Sequence, residues 1–428
     1  MEEEQANSLP IVLPRPDHPI SRALIDPDAL WIMRRLRREG YLAFLVGGAV
    51  RDLLLGDAPK DFDLGTDARP SEVRRLFRNC RLIGRRFRLA HVYFRRRGQP
   101  ENIIEVSTFR SREKWDEADG IPPQDLDLSG HVFGTPEEDA QRRDFTVNGL
   151  FYDIADFTVL DYVGGLDDLD AGLIRLIGDP DERFPEDPVR MLRAVEFAAR
   201  LEFSIEKNTA AGIRKHAQLI AQGSPARLRD ELRELQRRGI LAPVLAECHR
   251  LGLLTPLLPE VRVTDGLFPL LAAADAVSRD GTPAHESHYL AALALPTVAD
   301  AYPLAVNATL EDAQRAVARV LDPLTQRYQI SAHIRHQAKD LLLSCYRLAR
   351  GKAYRTKGKF VRRPDFAEAW EFFQVWAEAS GTAAEAVAYW QAYLAGEDAP
   401  ATAIPGSGRK RRRRPRHRGA PTGAGPGG

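Results

Sequence analysis

The sequence has few cysteines and no long apolar stretch, and both shortages limit what the chain can be. Its 428 residues contain only three cysteines, Cys80, Cys248 and Cys345. Their wide spacing and odd number argue against a disulfide framework or a zinc site and favour a reducing environment. No stretch reaches the roughly 20 apolar residues that a membrane-spanning helix needs, and the glutamate-rich start does not resemble a secretory signal. We therefore expect a soluble, cytoplasmic protein with no membrane partner.

A net charge is also nearly absent, since the formal charge at pH 7 is only +1. This value averages an acidic start with a strongly basic end, so the local charge is more informative than the mean. After about residue 398, Pro, Gly, Ser and Ala surround a basic block, and such a composition cannot bury enough surface to fold. We expect residues 399–428 to form a disordered basic tail that binds nucleic acid, with a solubilising role as the alternative. The basic residues of this tail are Arg409, Lys410, Arg411, Arg412, Arg413, Arg414, Arg416 and Arg418.

The length and the apolar pattern divide the rest of the chain. Domains commonly contain ~100 to 200 residues, so this length predicts at least two of them. Prolines dominate residues 1–27 and predict an extended arm. Strand and helix patterns are mixed up to about residue 160, whereas beyond about residue 180 apolar residues recur at the three- and four-residue steps of helices. The sequence therefore predicts an α+β protein with a mixed sheet first and helices afterwards.

A glycine turn follows the first strongly apolar segment. Residues 41–46 predict a buried strand, Gly47 and Gly48 a turn, and residues 49–55 a short helix. Glycines let the backbone approach a ligand, the start of a helix supplies N–H donors, and Arg51 adds a positively charged fork. We interpret this element as a phosphate-binding turn, and a plain tight turn is the alternative.

Two carboxylates follow this turn within about a dozen residues. A strand predicted at Lys60–Leu64 would place Asp61 and Asp63 on the same face, because side chains two apart in a strand point the same way. Two hard oxygen ligands suit Mg²⁺, which usually takes one or two protein carboxylates. Glu105, in a strand predicted at Asn102–Thr108, is a candidate third metal ligand or an outward-facing acid.

Two further polar sets lie on predicted helices. Asp144 and Asn148 are four residues apart and would share one helical face, although capping explains Asp144 equally well. Asp187, Arg190 and Arg193 are three residues apart on a second predicted helix. An acid and two arginines offer the acceptor and donors that a purine edge requires, and a solvated polar face is the alternative.

Four segments together carry a resemblance to a known family. They are LVGGAVRDLLLG (45–56), KDFDLGT (60–66), RRDFTVNGLFYD (142–153) and EDPVRMLRAVEFAARL (186–201). In this order they resemble the nucleotidyltransferase superfamily branch that contains bacterial poly(A) polymerases and CCA-adding enzymes. The resemblance implies a nucleotidyltransferase head at 28–160, a helical nucleotide-recognition neck at 161–236 and a helical RNA-binding body at 237–398.

The resemblance also implies roles for individual residues. Asp61 and Asp63 would bind two Mg²⁺ ions, or Mn²⁺, and Asp144 would complete the catalytic group. Glu196 is a departure, because related chains often carry a basic residue there. The nucleotide-binding residues that the resemblance implies are Gly47, Gly48, Arg51, Arg143, Asn148, Asp187, Arg190 and Arg193.

The segment at residues 77–92 is similar to one that marks the poly(A) polymerases of this branch. This similarity and the basic tail imply template-independent transfer of AMP from ATP to RNA 3′ ends, with release of pyrophosphate. RNA-decay proteins are the expected protein partners and a monomer the expected state. CCA addition to tRNA is the alternative function, and a noncatalytic RNA-binding protein on the same fold is the second alternative.

Overall fold

A computed structural model describes residues 10–84, 89–96, 98, 100–114, 131–279, 285–301 and 309–397. The first part of the chain is built on a mixed β-sheet and the later part on helices, which confirms the predicted α+β class. The predicted basic tail, with Arg409–Arg418, lies outside the described residues. None of the helices in the described part combines the length and apolar character that a membrane crossing requires.

The head contains one large sheet and one separate strand pair. Its strands are β1 (Ile11–Leu13), β2 (Ala43–Val46), β3 (Leu64–Thr66), β4 (Cys80–Ile83), β5 (Leu89–Phe94), β6 (Asn102–Thr108), β7 (Arg110–Lys114), β8 (His131–Phe133), β9 (Leu150–Asp153) and β10 (Val159–Asp161). The large sheet has the order β1-β10-β9-β2-β3-β6-β5-β4, and β7 pairs with β8. Only β3 and β6 run parallel among the neighbours in the large sheet. In this order, strands β2 and β3 lie at the centre of the large sheet.

Five helices accompany this sheet in the part of the chain that the structure describes. They are α1 (Pro27–Arg38), α2 (Gly48–Leu55), α3 (Pro70–Leu76), α4 (Pro136–Gln141) and α5 (Gly165–Asp170). Helix α1 begins where Asp26 Oδ1 accepts the N–H groups of Asp28 and Ala29, which are otherwise unpaired at a helix start. Its apolar face, which includes Met33 and Leu36, is buried in the core beneath the sheet. The helical pattern of the sequence thus fixes which side of α1 faces solvent.

The neck follows as helices and a small strand pair. Its elements are β11 (Leu173–Ile174), α6 (Pro180–Glu186), α7 (Val189–Leu201), β12 (Ser204–Ile205), α8 (Lys207–His216) and α9 (Pro225–Arg238). Strands β11 and β12 pair in parallel, so β12 is an exception to the expectation that only helices follow residue 180.

The body is helical throughout its described residues. Its helices are α10 (Leu241–Arg250), α11 (Leu254–Leu257), α12 (Leu267–Arg279), α13 (Glu286–Ala301), α14 (Leu310–Arg327), α15 (Ala332–Ala349), α16 (Lys357–Phe360), α17 (Phe366–Ser380) and α18 (Ala384–Ala395). One continuous apolar core extends from Phe145 through the neck to Trp390, separate from the core under the head sheet. Neck and body therefore share buried surface, which ties their positions together.

Residues 10–27, the described part of the predicted arm, lie against the head. Strand β1 pairs with β10, with Val12 opposite Leu160. Ile20 and Ile25 are buried in the core under the sheet. This segment thus contributes both a strand and apolar contacts to the head.

The strand predicted at Lys60–Leu64 is wrong. The paired strand begins at Leu64, and Asp61 and Asp63 precede it in an unpaired segment. One backbone hydrogen bond still attaches this segment to β2, because Val46 N donates to the Asp63 carbonyl at 3.0 Å. Leu64, the first residue of β3, is fully buried.

Candidate functional site

The glycine turn lies between the central strand β2 and helix α2. Gly47 has φ 71° and ψ −131°, a backbone conformation that residues with a Cβ atom rarely adopt. A Cβ atom at Gly47 would lie 2.8 Å from Nη1 of Arg143, so the guanidinium of Arg143 would have to move. The N–H of Gly47 donates to the Leu150 carbonyl at 3.0 Å. The turn is thereby fixed to β9 while α2 begins at Gly48.

Arg51 lies underneath this turn and is only 2% exposed. Its guanidinium donates to Asp52 Oδ1 at 2.9 and 2.6 Å and to the side-chain oxygen of Asn148. It also lies 5.2 Å from the ring centroid of Phe197, which belongs to helix α7. Because these partners occupy the guanidinium, Arg51 supports the turn in this structure and does not present a free donor fork.

Arg143 is the cation next to the turn. Its Nη2 donates to Asp139 Oδ2 at 3.0 Å and its Nη1 to the Asn148 carbonyl at 3.3 Å. Asp139 is buried, and although burial opposes its ionisation, the guanidinium groups of Arg143 and Arg142 hold its pKa below the ordinary value. Arg143 is thus held in place at its Nε and Nη2 side, and its side chain keeps 20% of its surface exposed.

Asp144 and Asn148 come together without the predicted helix. Asn148 ends a short 3₁₀ turn, Thr146–Asn148, and Asp144 precedes it. Asn148 Nδ2 donates to Asp144 Oδ1 at 3.1 Å, and the N–H of Phe145 donates to the same oxygen at 2.8 Å. The helix prediction is wrong because the chain turns here toward β9, but the two side chains still meet.

Arg193 on α7 completes the surroundings of Asp144. Its Nε and Nη2 lie 2.9 and 2.8 Å from Asp144 Oδ2. Burial alone would raise the pKa of Asp144, but Arg193 and the Asn148 amide together lower it. Both oxygens of Asp144 therefore have hydrogen-bond donors, and the carboxylate links the neck helix to the head.

Asp61 and Asp63 differ from Asp144 in having no such partners. Neither carboxylate forms a hydrogen bond or an ion pair with another residue in the described ranges. Both are exposed, yet the protein around Asp63 displaces part of its hydration, which together with the charge of Glu105 raises the pKa of Asp63 to about 6. Arg143 acts in the opposite direction, and Asp61 adds to the rise. The site therefore concentrates negative charge that a cation would neutralise.

Glu105 lies on β6, the parallel neighbour of β3. Its side chain points away from the buried Ile104 and Val106, as the strand pattern predicted, and His91 Nε2 lies 3.4 Å from its Oε2. Within the described residues, no group of three or more His, Cys, Asp or Glu side chains is arranged as a metal site. Glu105 is thus close enough to Asp63 to raise the pKa of that carboxyl, and its role as a third metal ligand stays a prediction.

Asp187 and Arg190 are placed differently from their predicted shared helical face. Asp187 lies in an extended junction between α6 and α7, with φ −147°, so the helix prediction is wrong for this residue. Its carboxylate accepts two 2.9 Å hydrogen bonds from Arg227 on α9. Arg190 Nη1 donates to the Arg183 carbonyl at 2.9 Å and to Glu186 at 2.8 Å. In this structure both side chains therefore bind partners within the neck.

Arg183 is a supporting residue that the sequence interpretation missed. It is 2% exposed, and its Nη2 donates to the carbonyls of Arg142 and Arg143 at 2.7 and 2.8 Å. These bonds attach the segment that carries Arg143 and Asp144 to helix α6. The sequence signal for this role is an arginine within a segment rich in acidic residues. Its carbonyl partners lie about 40 residues earlier in the chain, so no local pattern indicates them.

Glu196, the departure from the family pattern, is a buried neck residue. It is 7% exposed and pairs with Arg200 at 2.9 Å. Burial raises its pKa, and Arg200 partly offsets this rise. The acid thus has its own basic partner one helical turn away.

Curated relatives are similar to this chain over about half of its length. Poly(A) polymerase I of Salmonella typhi is 54% identical over 244 residues, which are 56% of this chain and 51% of that protein. Poly(A) polymerase I of Haemophilus influenzae is 48% identical over 216 residues, 50% of this chain and 47% of that protein. A CCA-adding enzyme of Geobacillus kaustophilus is 37% identical over 218 residues, 51% of each chain. The chain thus spans about half the length of the curated relatives that it matches.

Solved structures share the fold over most of the chain. A tRNA-processing enzyme complex superimposes with a TM-score of 0.60 at 21% identity, covering 85% of this chain and 90% of that one. A Thermotoga maritima CCA-adding enzyme complexed with tRNA gives a TM-score of 0.57 at 19% identity, covering 87% and 83%. At these identities the likeness concerns the fold alone.

Three family models match in sequence order. They describe a poly(A) polymerase head domain at residues 43–175, a probable RNA- and SrmB-binding site of polymerase A at 202–264, and an arginine-rich polymerase A C-terminus at 307–420. The head model contains the glycine turn, both unpaired carboxylates and Asp144, and the three models together span more than half of the chain. The chain therefore belongs to the poly(A) polymerase family of nucleotidyltransferases.

Proposed function

We propose that this protein transfers AMP from ATP to RNA 3′ ends without a template. The observation that carries the proposal is the difference in identity between two kinds of relative. Poly(A) polymerase I is 54% identical over 244 residues, whereas a CCA-adding enzyme is 37% identical over 218. The residues around the glycine turn also supply what transfer of a nucleotide requires, namely acidic metal ligands and a positively charged support for phosphates.

Asp61 and Asp63 would hold the metal ions. Their carboxylates are exposed and unpaired in the described residues, which fits Mg²⁺ or Mn²⁺. Mg²⁺ usually binds one or two protein carboxylates and completes its coordination shell with water and substrate phosphates. When bound, a pair of such ions would activate the RNA 3′-hydroxyl and neutralise the departing pyrophosphate. Asp144 would position the site through Asn148 and Arg193, since its own oxygens already accept hydrogen bonds.

The Gly47–Gly48 turn and Arg143 would receive the triphosphate. The absent side chains let a phosphate approach the backbone at the start of α2, and the guanidinium of Arg143 lies beside that position. Arg51 and Asn148 would hold the turn from below. The 3′-hydroxyl then attacks the α-phosphate, and no protein side chain has to form a covalent intermediate.

Asp187 and Arg190 remain proposed contacts to the adenine base. For such contacts a bound nucleotide would have to replace Arg227 and Glu186 as their partners. The competing role is structural, because the same bonds connect α6, α7 and α9 in the present arrangement.

An assay with purified protein tests the function. The full chain, Mg²⁺, one labelled nucleoside triphosphate at a time and either tRNA or generic RNA should give long tails with ATP alone. Incorporation of CMP that ends after a completed tRNA terminus would instead favour the CCA-adding activity of the second group of relatives. No incorporation at all would favour the noncatalytic alternative.

Asp63→Asn tests the metal assignment. We expect at least a ~100-fold loss of AMP incorporation, because a neutral amide binds a divalent cation poorly and the substitution changes a group at the reacting centre. Asp57→Asn is the matched control, since Asp57 is an exposed acid nearby that has no side-chain partner in the described residues. Unchanged incorporation by Asp63→Asn would show that the metal ligands lie elsewhere.

Other expectations stay predictions. They are RNA binding by the basic tail, partnership with RNA-decay proteins, a monomeric state and a cytoplasmic location. A probable RNA- and SrmB-binding model at residues 202–264 supports an RNA contact in the neck and the start of the body.

A further inference from the structure

An exposed tryptophan lies on the outer face of α1. Trp31 is 50% exposed, although a side chain of this size and apolarity is usually covered. Its ring centroid lies 5.6 Å from that of Phe77 and 5.7 Å from that of Phe94, with interplanar angles of 60° and 90°. The indole is therefore held from the protein side while much of its surface remains open.

Arginines surround this indole. A cavity of ≈ 500 Å³, which we call the Trp31 pocket, is lined by Trp31, Arg34, Arg35 and Arg38 of α1 and by Phe77 and Arg78 after α3. Among the described residues, no acidic side chain lines this pocket. Arg34, Arg35 and Arg38 lie three, four and seven residues after Trp31, which places them on the same face of α1.

Most of this positive charge is not neutralised. Arg35 pairs with Glu39 at 3.0 Å. Arg34, Arg38 and Arg78 are exposed and have no ion-pair or hydrogen-bond partner within the described part of the chain. Like charges gathered beside one flat aromatic ring repel one another, and an anionic ligand would remove this repulsion.

We propose that the Trp31 pocket binds a segment of single-stranded RNA upstream of the 3′ end. An unpaired base stacks on the open indole surface, and its neighbouring phosphates pair with Arg34, Arg38 and Arg78. A duplex keeps its bases stacked on one another and therefore cannot use the indole. An acidic peptide would satisfy the arginines but would leave the flat, exposed ring without a role. The inference rests on the proposed function only in that RNA is taken as the substrate.

This subsite is separate from the site of nucleotide transfer. No residue of the Trp31 pocket belongs to the glycine turn, the metal-ligand pair or the Asp144 cluster. The pocket lies beside α1 and the start of β4, at one edge of the sheet, whereas the turn follows the central strand β2. RNA bound there would be retained between successive additions of nucleotide.

Binding of labelled oligo(A) to the full chain tests the aromatic part of the proposal. We would use roughly 20 nucleotides, which exceeds the ~4–16 of typical single-strand sites, with EDTA present so that no transfer occurs. Trp31→Ala should raise Kd by about fivefold or more, the effect expected from the loss of one stacked base. Trp31→Phe should retain most of the affinity, and neither variant should change the affinity for duplex RNA.

The salt dependence of Kd tests the arginines independently. The double variant Arg34→Gln/Arg38→Gln should lower the magnitude of the slope of log K against log salt by about 1.4, or about 0.7 for each lost phosphate contact. Arg15→Gln/Arg22→Gln is the matched control, because it removes two exposed charges before α1 that lie outside the Trp31 pocket and outside the probable RNA-binding segment at residues 202–264. Its slope should equal that of the unchanged protein. Thermal melting of every variant checks that the fold is retained.

Two outcomes would overturn the inference. One is an unchanged oligo(A) affinity in Trp31→Ala, and the other is an equal slope in both double variants. The proposed function is tested by a separate measurement, AMP incorporation by the unchanged protein. Incorporation with no effect of the Trp31 pocket variants would refute the pocket alone, whereas absent incorporation would refute the function and leave the binding result standing.

Discussion

Replacing Gly47 with alanine tests whether the glycine turn depends on a backbone conformation that other residues avoid. At φ 71° and ψ −131°, a residue with a Cβ atom is strained by ~1–3 kcal/mol. The new Cβ atom would also lie 2.8 Å from Nη1 of Arg143, which donates to the Asn148 carbonyl at 3.3 Å. Displacing this guanidinium weakens a hydrogen bond worth ~1 kcal/mol or more. We therefore expect Gly47→Ala to lower the free energy of unfolding by ~2–4 kcal/mol.

Gly56→Ala is the matched control for this prediction. Gly56 also has a positive φ, 83°, but no atom lies within 4 Å of its added Cβ. The control should lose only ~1 kcal/mol, the cost of a left-handed conformation without a clash. Urea unfolding followed by tryptophan fluorescence would measure both variants, and AMP incorporation would be assayed at a temperature where both are folded.

The incorporation assay distinguishes support of the turn from simple stability. Gly47→Ala should reduce incorporation because it moves Arg143 away from the proposed triphosphate position, whereas Gly56→Ala should leave incorporation unchanged. Equal stabilities and equal incorporation rates for the two variants would refute the reasoning about the turn.

Two carboxylates paired with arginines, Asp139 and Asp144, give further predictions. Asp139→Asn should destabilise the fold by ~2 kcal/mol at pH 7, a value reduced because Arg142 and Arg143 are partly exposed. Since the folded-state pKa of Asp139 is lowered, this contribution should be full above the unfolded value of about 3.9 and be lost as pH falls through the folded pKa, which urea unfolding across pH would show. Arg193→Gln should cost ~2 kcal/mol because it leaves Asp144 without its main partner. In a double-mutant cycle with Asp144→Asn, a coupling below ~0.5 kcal/mol would contradict this interpretation.

The elements next to the glycine turn could be predicted because their signals are local. The apolar run before Gly47 predicts a buried strand, and the structure has β2 at Ala43–Val46. The helix predicted at residues 49–55 is α2, which ends at Leu55 and is followed by Gly56 in the left-handed conformation. Glu105 likewise faces away from its apolar neighbours, as a two-residue period requires.

Partners distant in sequence could not be predicted in this way. Asp144 binds Arg193 across 49 residues, and Asp187 binds Arg227 across 40. Nothing in the local pattern indicates which of many arginines an acid will meet, because the folded neck decides it.

One misplaced residue did have a local signal. Asp187 precedes Pro188, and the residue before a proline is disfavoured in helical conformation. The three-residue spacing from Asp187 to Arg193 suggested one helix, but the proline places Asp187 in the junction before α7. The steric preference of the backbone was thus stronger than the spacing of the polar side chains.

The short first strand also has a consequence for association between molecules. An open sheet edge presents unpaired N–H and C=O groups to which a strand of another chain can add. Strand β1 covers the outer edge of β10 with only three residues, between Pro10 and Pro14, and prolines cannot donate to a further ladder. Within the described residues, the head sheet therefore ends on this side in a strand too short and too poor in donors to template intermolecular pairing, despite the exposed Ile11 and Val12.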